Sequence, residues 1–231
     1  MLTDEARAAG RLKLATERLA GKYPFHGAVL RQLAPTAVPV LETMGVSVKS
    51  AGAVNLFYSP EFVLSITLPE LVGVLLHEVC HVVLGHIYTP PSDYADASGK
   101  VDEQARVVAE EVTVNEFVSE PLPGGATLLA DYPQLSPKQS TRDRYRILKG
   151  TVPKDTCALD DHSGWLSEDG GEGSGISQAD VADAVEDLLL LAAGEVGGEI
   201  PHSIAEAIRS HGITPGSTSQ KITKSSAPST V

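Results

Sequence analysis

The sequence predicts an α+β domain, mainly helical, with a small sheet packed on one central helix. Three observations predict it. The stretch Leu71 to His86, LVGVLLHEVCHVVLGH, is apolar nearly all round and reads as a helix buried in a core. Val46 to Ser59 alternates apolar and polar residues at Val46, Val48, Val54, Leu56 and Tyr58, the period of a strand. Around these two lie several segments with helix caps and helical periodicity. The 231 residues, 42% of them hydrophobic, suffice for one domain with a proper core, or for one domain and a tail.

Taken in order, Thr3, Asp4 and Glu5 open a capped helix that Ala, Leu, Lys and Arg sustain to about Ala20, and Tyr23-Pro24 ends it or turns the chain. Ala28 to Met44 reads as a helix interrupted or shortened by Pro35 and Pro39, with Gly45 closing it. The strand signal of Val46 to Ser59 is broken by Ser59-Pro60-Glu61-Phe62. Thr67 and Glu70 form a capping box with proline in the first turn, so the central helix starts at Leu68 and runs to about His86. Tyr88 to Lys100 is a polar loop. A second long helix is expected from about Val101 to Val118, with Glu111 on its apolar face and Glu110 on the opposite, solvent side.

Ser119 to Pro137 reads as loop. Ser140 to Asp143 caps a short helix ending near Lys149, which packs through Tyr145 and Leu148. The segment Asp160 to Trp165, DDHSGW, holds the sole tryptophan; Ser167 to Gly175 is an acidic, glycine-rich link. Gln178 to Ala193 is a leucine-rich helix, and Pro201 to His211 a shorter one. The end of the chain is low in complexity. We expect one domain over residues 1–212 and a disordered tail over 213–231.

Chemistry concentrates in His77-Glu78-Val79-Cys80-His81. Two imidazoles at i and i+4 share one helix face, close enough to bind one metal ion, and zinc is the ion this spacing most often serves. Glu78 lies about 100° round from His77 and can reach an activated water without binding the metal itself. Ionisable groups on so apolar a helix need partners, which a metal supplies. Cys80 reads as a small core residue.

A catalytic zinc needs three protein ligands and one open position. His86, nine residues after His77, is about 900° away and faces the other side of a continuous helix, so it could bind only if the chain broke at Gly85. Glu111 is the stronger candidate, a carboxylate on an apolar face where an unpaired charge should not be. Asn115, one turn on, could hold a ligand histidine in position.

The succession YSPEF, LHEVCHVVLGH, AEEVTVNEF, RYRIL and DDHSGW resembles a metallopeptidase domain family often found upstream of a von Willebrand factor A-like domain in bacterial and phage proteins. The resemblance covers roughly residues 10 to 210. It implies a zincin-like α+β fold, an acidic residue four before an Asn as in Glu111 and Asn115, a Gly-His pair as in Gly85-His86, and a D-x-H-like segment matching Asp161-His162. Glu111 stands where that family commonly carries Asp.

The function expected is therefore zinc-dependent hydrolysis of peptide bonds. His77, His81 and Glu111 bind zinc (Zn2+), Glu78 is the general base, and His162 could stabilise the oxyanion. The strand around Leu56 to Tyr58 could serve as the edge that aligns an extended substrate. The alternative is a catalytically silent binding or assembly module with a structural metal, although a structural site needs no base such as Glu78. Thirty Asp and Glu against 18 Lys and Arg, net charge −12, argue against nucleic acid or an anionic membrane as the main partner and leave a peptide or protein. No export signature or membrane-length apolar run is present, and there are two cysteines, so a cytosol is expected, that of a bacterial or phage-infected cell.

Overall fold

The structure, a computed structural model, describes residues 2–49, 53–153 and 178–197. Helix α1, Asp4–Lys22, is capped by the Thr3 hydroxyl, which accepts from the Ala6 N–H at 3.2 Å, and buries Ala8, Leu12, Ala15 and Leu19 at helical spacing. Pro24 does not merely stop α1. It sits in the first turn of α2, Pro24–Gln32, where its missing N–H costs nothing. Gly27 of α2 lies so close to α1 that a Cβ there would fall 2.4 Å from the Ala20 Cα.

The segment expected as a proline-interrupted helix is instead the end of α2 followed by strand. Strand β1 is Ala34–Ala37, β2 is Met44–Lys49 and β3 is Ala53–Tyr58. Gly45 lies inside β2 and closes no helix. The sheet order is β1-β3-β2, with β1 parallel and β2 antiparallel to β3; Pro35 pairs Leu56, and Val46 also pairs Leu56 from the other side. Proline is tolerated in β1 because that strand is at the sheet edge. The same order corrects the expectation for Leu56 to Tyr58. Strand β3 is central and hydrogen-bonded on both sides, so it offers no edge to a substrate.

Ser59 ends β3 and caps α3, Pro60–Ser65, and the guanidinium of Arg11 on α1 holds the Leu64 and Ile66 carbonyls at the end of α3. Helix α4, Leu68–Val83, begins with a complete capping box, the Thr67 N–H bonding Glu70 at 2.7 Å and the Glu70 N–H bonding Thr67 at 3.3 Å. Every residue from Leu71 to Val83 is buried, and α4 packs against α1, α2, β2 and α5, Glu103–Asn115.

Helix α4 stops short of the expected length. Leu84 caps it and Gly85 turns left-handed at φ 78°, where a Cβ would also collide with the Tyr88 hydroxyl at 2.5 Å. A single 3-10 turn, His86–Tyr88, follows.

Helix α5 is capped by Asp102 and, contrary to expectation, is buried nearly all round. A second apolar cluster of Tyr94, Ala105, Val108, Ala109, Val112, Leu135, Tyr145 and Leu148 covers its outer side. Glu110 is therefore fully buried and not turned to solvent; Arg106 Nη1 holds both its carboxylate oxygens at 3.0 and 3.1 Å. Much of the cover comes from α6, Thr141–Leu148, which docks through Arg144. That fully buried guanidinium donates to Thr113 Oγ1 at 3.1 Å, to the Ser136 carbonyl at 3.3 Å and to the Glu116 carboxylate. Helix α7, Gln178–Glu195, packs on α2, where Glu195 meets Arg31 at 2.9 Å. The expected helix at 201–211, the tail at 213–231 and the DDHSGW segment lie outside the described residues.

Candidate metal centre

The period of α4 sets His77 and His81 on one face, one turn apart, with ring centroids 4.6 Å apart and the two Nε2 atoms 3.0 Å apart. The face they share is turned toward α5. From there Glu111 Oε1 reaches His77 Nε2 at 3.5 Å and His81 Nε2 at 3.3 Å. All three side chains are 0% exposed. Their ligand atoms lie within 4.8 Å of one another, and among the described residues this is the group of His, Cys, Asp and Glu able to hold a metal ion.

The ring orientations are held from behind. Asn115, one turn after Glu111, donates its amide N–H to the Thr127 carbonyl at 2.9 Å, which fixes its oxygen toward His77 Nδ1 at 2.8 Å. His77 therefore donates from Nδ1, which leaves Nε2 as the ring nitrogen on the side facing Glu111. His81 is backed differently. The break at Gly85 folds His86 back, and His86 Nδ1 lies 3.1 Å from His81 Nδ1 while His86 Nε2 lies 3.0 Å from Thr141 Oγ1. The expectation that His86 faces away from the pair assumed a continuous helix; the left-handed turn brings it back. It meets His81 on the nitrogen opposite Glu111.

Glu78 is 0% exposed and stands on α4 next to His77. Cys80 is buried among the core residues, and burial pushes its thiol up to about 12, so it is a neutral packing group. His162 lies outside the described residues. Thr127 and Thr141 were not legible as parts of the site. The only local signal at Thr141 is the Ser140 cap before it, which marks a helix start and says nothing of His86.

Residues 7–117 match the family model described as "Putative metallopeptidase domain". The matched segment contains His77, Glu78, His81, His86, Glu111 and Asn115, whereas Thr127 and Thr141 lie beyond it. No curated protein and no solved structure matches the chain. Among the described residues no helix is long and apolar enough to cross a membrane.

Proposed function

We propose that the chain is a zinc-dependent metallopeptidase. The observation that carries this reading is the convergence of two imidazole Nε2 atoms and one carboxylate oxygen from facing helices within 4.8 Å, fully buried, next to Glu78. The donor set fits the ion: two nitrogens and one oxygen are the ligand number and type of a catalytic zinc site that keeps one position open, and a site with a purely structural role closes all four. His77, His81 and Glu111 would hold it. When bound there, zinc supplies Lewis acidity that polarises a peptide carbonyl and brings the pKa of a water to near 7.

The rest is the work of the chain. Glu78 accepts the proton of the attacking water and passes it to the leaving amine nitrogen, the task of a carboxylate beside the reacting atoms. Asn115 keeps the His77 ring from rotating or exchanging its proton position. The apolar wall of α4 excludes bulk water and strengthens each of these polar contacts. His162 is assigned the oxyanion on the sequence alone. The substrate is a peptide or protein.

Metal content of the purified chain, measured beside cleavage of a mixed peptide library, tests the proposal. The parent is expected to hold about one zinc per chain and to cleave. Glu78→Gln is expected to keep the zinc and lose at least about a hundredfold in kcat/KM. Zinc retained with no cleavage by the parent would instead favour the silent binding module, and equal activity of parent and Glu78→Gln would remove Glu78 as the base.

A further inference from the structure

Resting on the reading of His77, His81 and Glu111 as metal ligands, we propose that Thr141, acting through His86, holds His81 in the tautomer that presents Nε2 to the metal. Helix α6, beyond the segment matched by the family, would then complete the site.

For His81 to offer the Nε2 lone pair toward Glu111 and His77, its single proton must sit on Nδ1. A buried N–H needs an acceptor, and the atom at 3.1 Å from His81 Nδ1 is His86 Nδ1. Accepting there leaves His86 its own proton on Nε2, and Thr141 Oγ1 lies 3.0 Å from that nitrogen, placed to accept it. His81, His86 and Thr141 are 0%, 1% and 1% exposed, so bulk water does not replace any link in this chain. In this arrangement of bonds each imidazole needs only one proton.

Without the hydroxyl, the His86 Nε2–H loses this acceptor, which favours the tautomer with the proton on Nδ1. His86 would then donate to His81 Nδ1 and drive the His81 proton onto Nε2, the atom the metal needs.

Thr141 can reach this position because α6 is pinned independently of it. Ser140 caps the helix, its hydroxyl accepting from the Asp143 N–H at 3.2 Å, and Arg144 anchors the next turn in the protein interior. Thr141 is thus a positioning residue, and its methyl and hydroxyl roles can be separated by substitution. Valine keeps the shape without the hydroxyl; serine keeps the hydroxyl without the methyl.

The experiment is a zinc competition titration against a chromophoric chelator on the full chain, with no activity assay. Thr141→Val is expected to weaken zinc binding about 10- to 100-fold, the usual effect of losing the partner behind a ligand histidine, and Thr141→Ser to stay within about threefold of the parent. In a His86→Asn background, where the amide oxygen can accept from His81 directly, Thr141→Val is expected to cause no further loss. Parent-like affinity in Thr141→Val, or equal losses in Thr141→Ser and Thr141→Val, would overturn the proposal. If Thr141→Val does not fold, His86→Phe takes its place: weakened binding supports the chain of bonds, and parent-like binding overturns it. A parent chain that takes up no zinc fails at the metal-site reading itself, which the first titration reveals before any variant is compared.

Discussion

Asn115 and His77 are joined by a 2.8 Å hydrogen bond that spans α5 and α4 and settles which nitrogen of the ring faces Glu111. The bond has a direction because Asn115 has already committed its N–H to the Thr127 carbonyl. Asn115→Leu is expected to leave the His77 Nδ1–H and the Thr127 carbonyl unsatisfied. Zinc affinity should fall about 10- to 100-fold and stability by about 1–3 kcal/mol. Chelator competition and urea denaturation measure the two effects. A leucine variant with the parent zinc affinity would show that the ring is oriented by packing alone.

The segment carrying Thr127 approaches α4 closely. A Cβ built on Gly73, one turn before His77, would lie 2.0 Å from the Pro121 carbonyl oxygen, a backbone atom that cannot rotate away. Nearby, Tyr23 Oη bonds Ser119 at 2.6 Å and Glu120 at 2.8 Å, tying the same segment to the end of α1. Gly73→Ala is expected to destabilise by about 1–3 kcal/mol, as overpacking does. Gly10→Ala is the control: an added Cβ there meets nothing within 4 Å on an exposed helical position, and a gain of about 0.5–1 kcal/mol is expected. Thermal or urea melts that rank these two variants the other way round would refute the close-packing account.

What the sequence made legible was local. The Thr67–Glu70 box is readable because both partners lie within one turn, and the shared face of His77 and His81 follows from the helical period alone. Glu111 drew notice as an acid on an apolar face, but its nearness to the two rings depends on how α5 lies across α4. Long-range packing decided the misreadings. Strand β1 carries Pro35 and gains its order from pairing with β3, some twenty residues away, so its short run gave a helix reading. Glu110 looked solvent-facing because its cover, Tyr94, Leu135 and Leu148, comes from elsewhere in the chain. The ending of α4 was readable in part. Gly85 is a residue suited to a left-handed cap, yet the apolar pattern runs on through it to Ile87.

Histidine 26 gives the protein a pH dependence that can be read apart from the candidate metal centre. It sits edge-on to Tyr23 and Phe25, and burial lowers its pKa to about 4. The unfolded chain binds this proton near pH 6.5 and the folded chain only near 4. Its contribution to stability is therefore fully present above 6.5 and is lost as pH falls toward 4. The loss should be on the order of 2 kcal/mol for a part-buried ring. Glu70 and Glu120, held below the usual carboxylate range by hydrogen bonds from Thr67 and from Lys22 and Tyr23, lose their contributions at lower pH, as they protonate. Urea midpoints at pH 7 and pH 5 should differ less in His26→Gln than in the parent. An equal difference in both would place the dependence elsewhere.

The buried pair Arg106 and Glu110 supports α5 beside the candidate site without facing His77 or His81. The fully buried Glu110 carboxylate is held by Arg106 Nη1 at 3.0 and 3.1 Å, and the same guanidinium reaches Glu103 at 2.8 Å. Glu110 also raises the pKa of Tyr94, after burial the next largest cause, and its negative charge close to that phenol is compensated by Arg106 and Arg142. Arg106→Ala removes the main compensation from a carboxylate that water cannot reach, and should destabilise by about 3 kcal/mol. Replacing both partners, Arg106→Met with Glu110→Leu, leaves no buried charge and should recover most of that loss, since apolar residues of similar volume often match a buried ion pair. Because Glu111 follows Glu110 in the same turn of α5, zinc affinity in the double variant reports whether the pair also sets the height of α5 against α4. We expect it to stay within about threefold of the parent, since Asn115 and the shared apolar core fix α5 independently. A double variant as unstable as Arg106→Ala would show that the pair is worth more than the packing that replaces it, and that α5 is held by charge and not by the cluster around Tyr94.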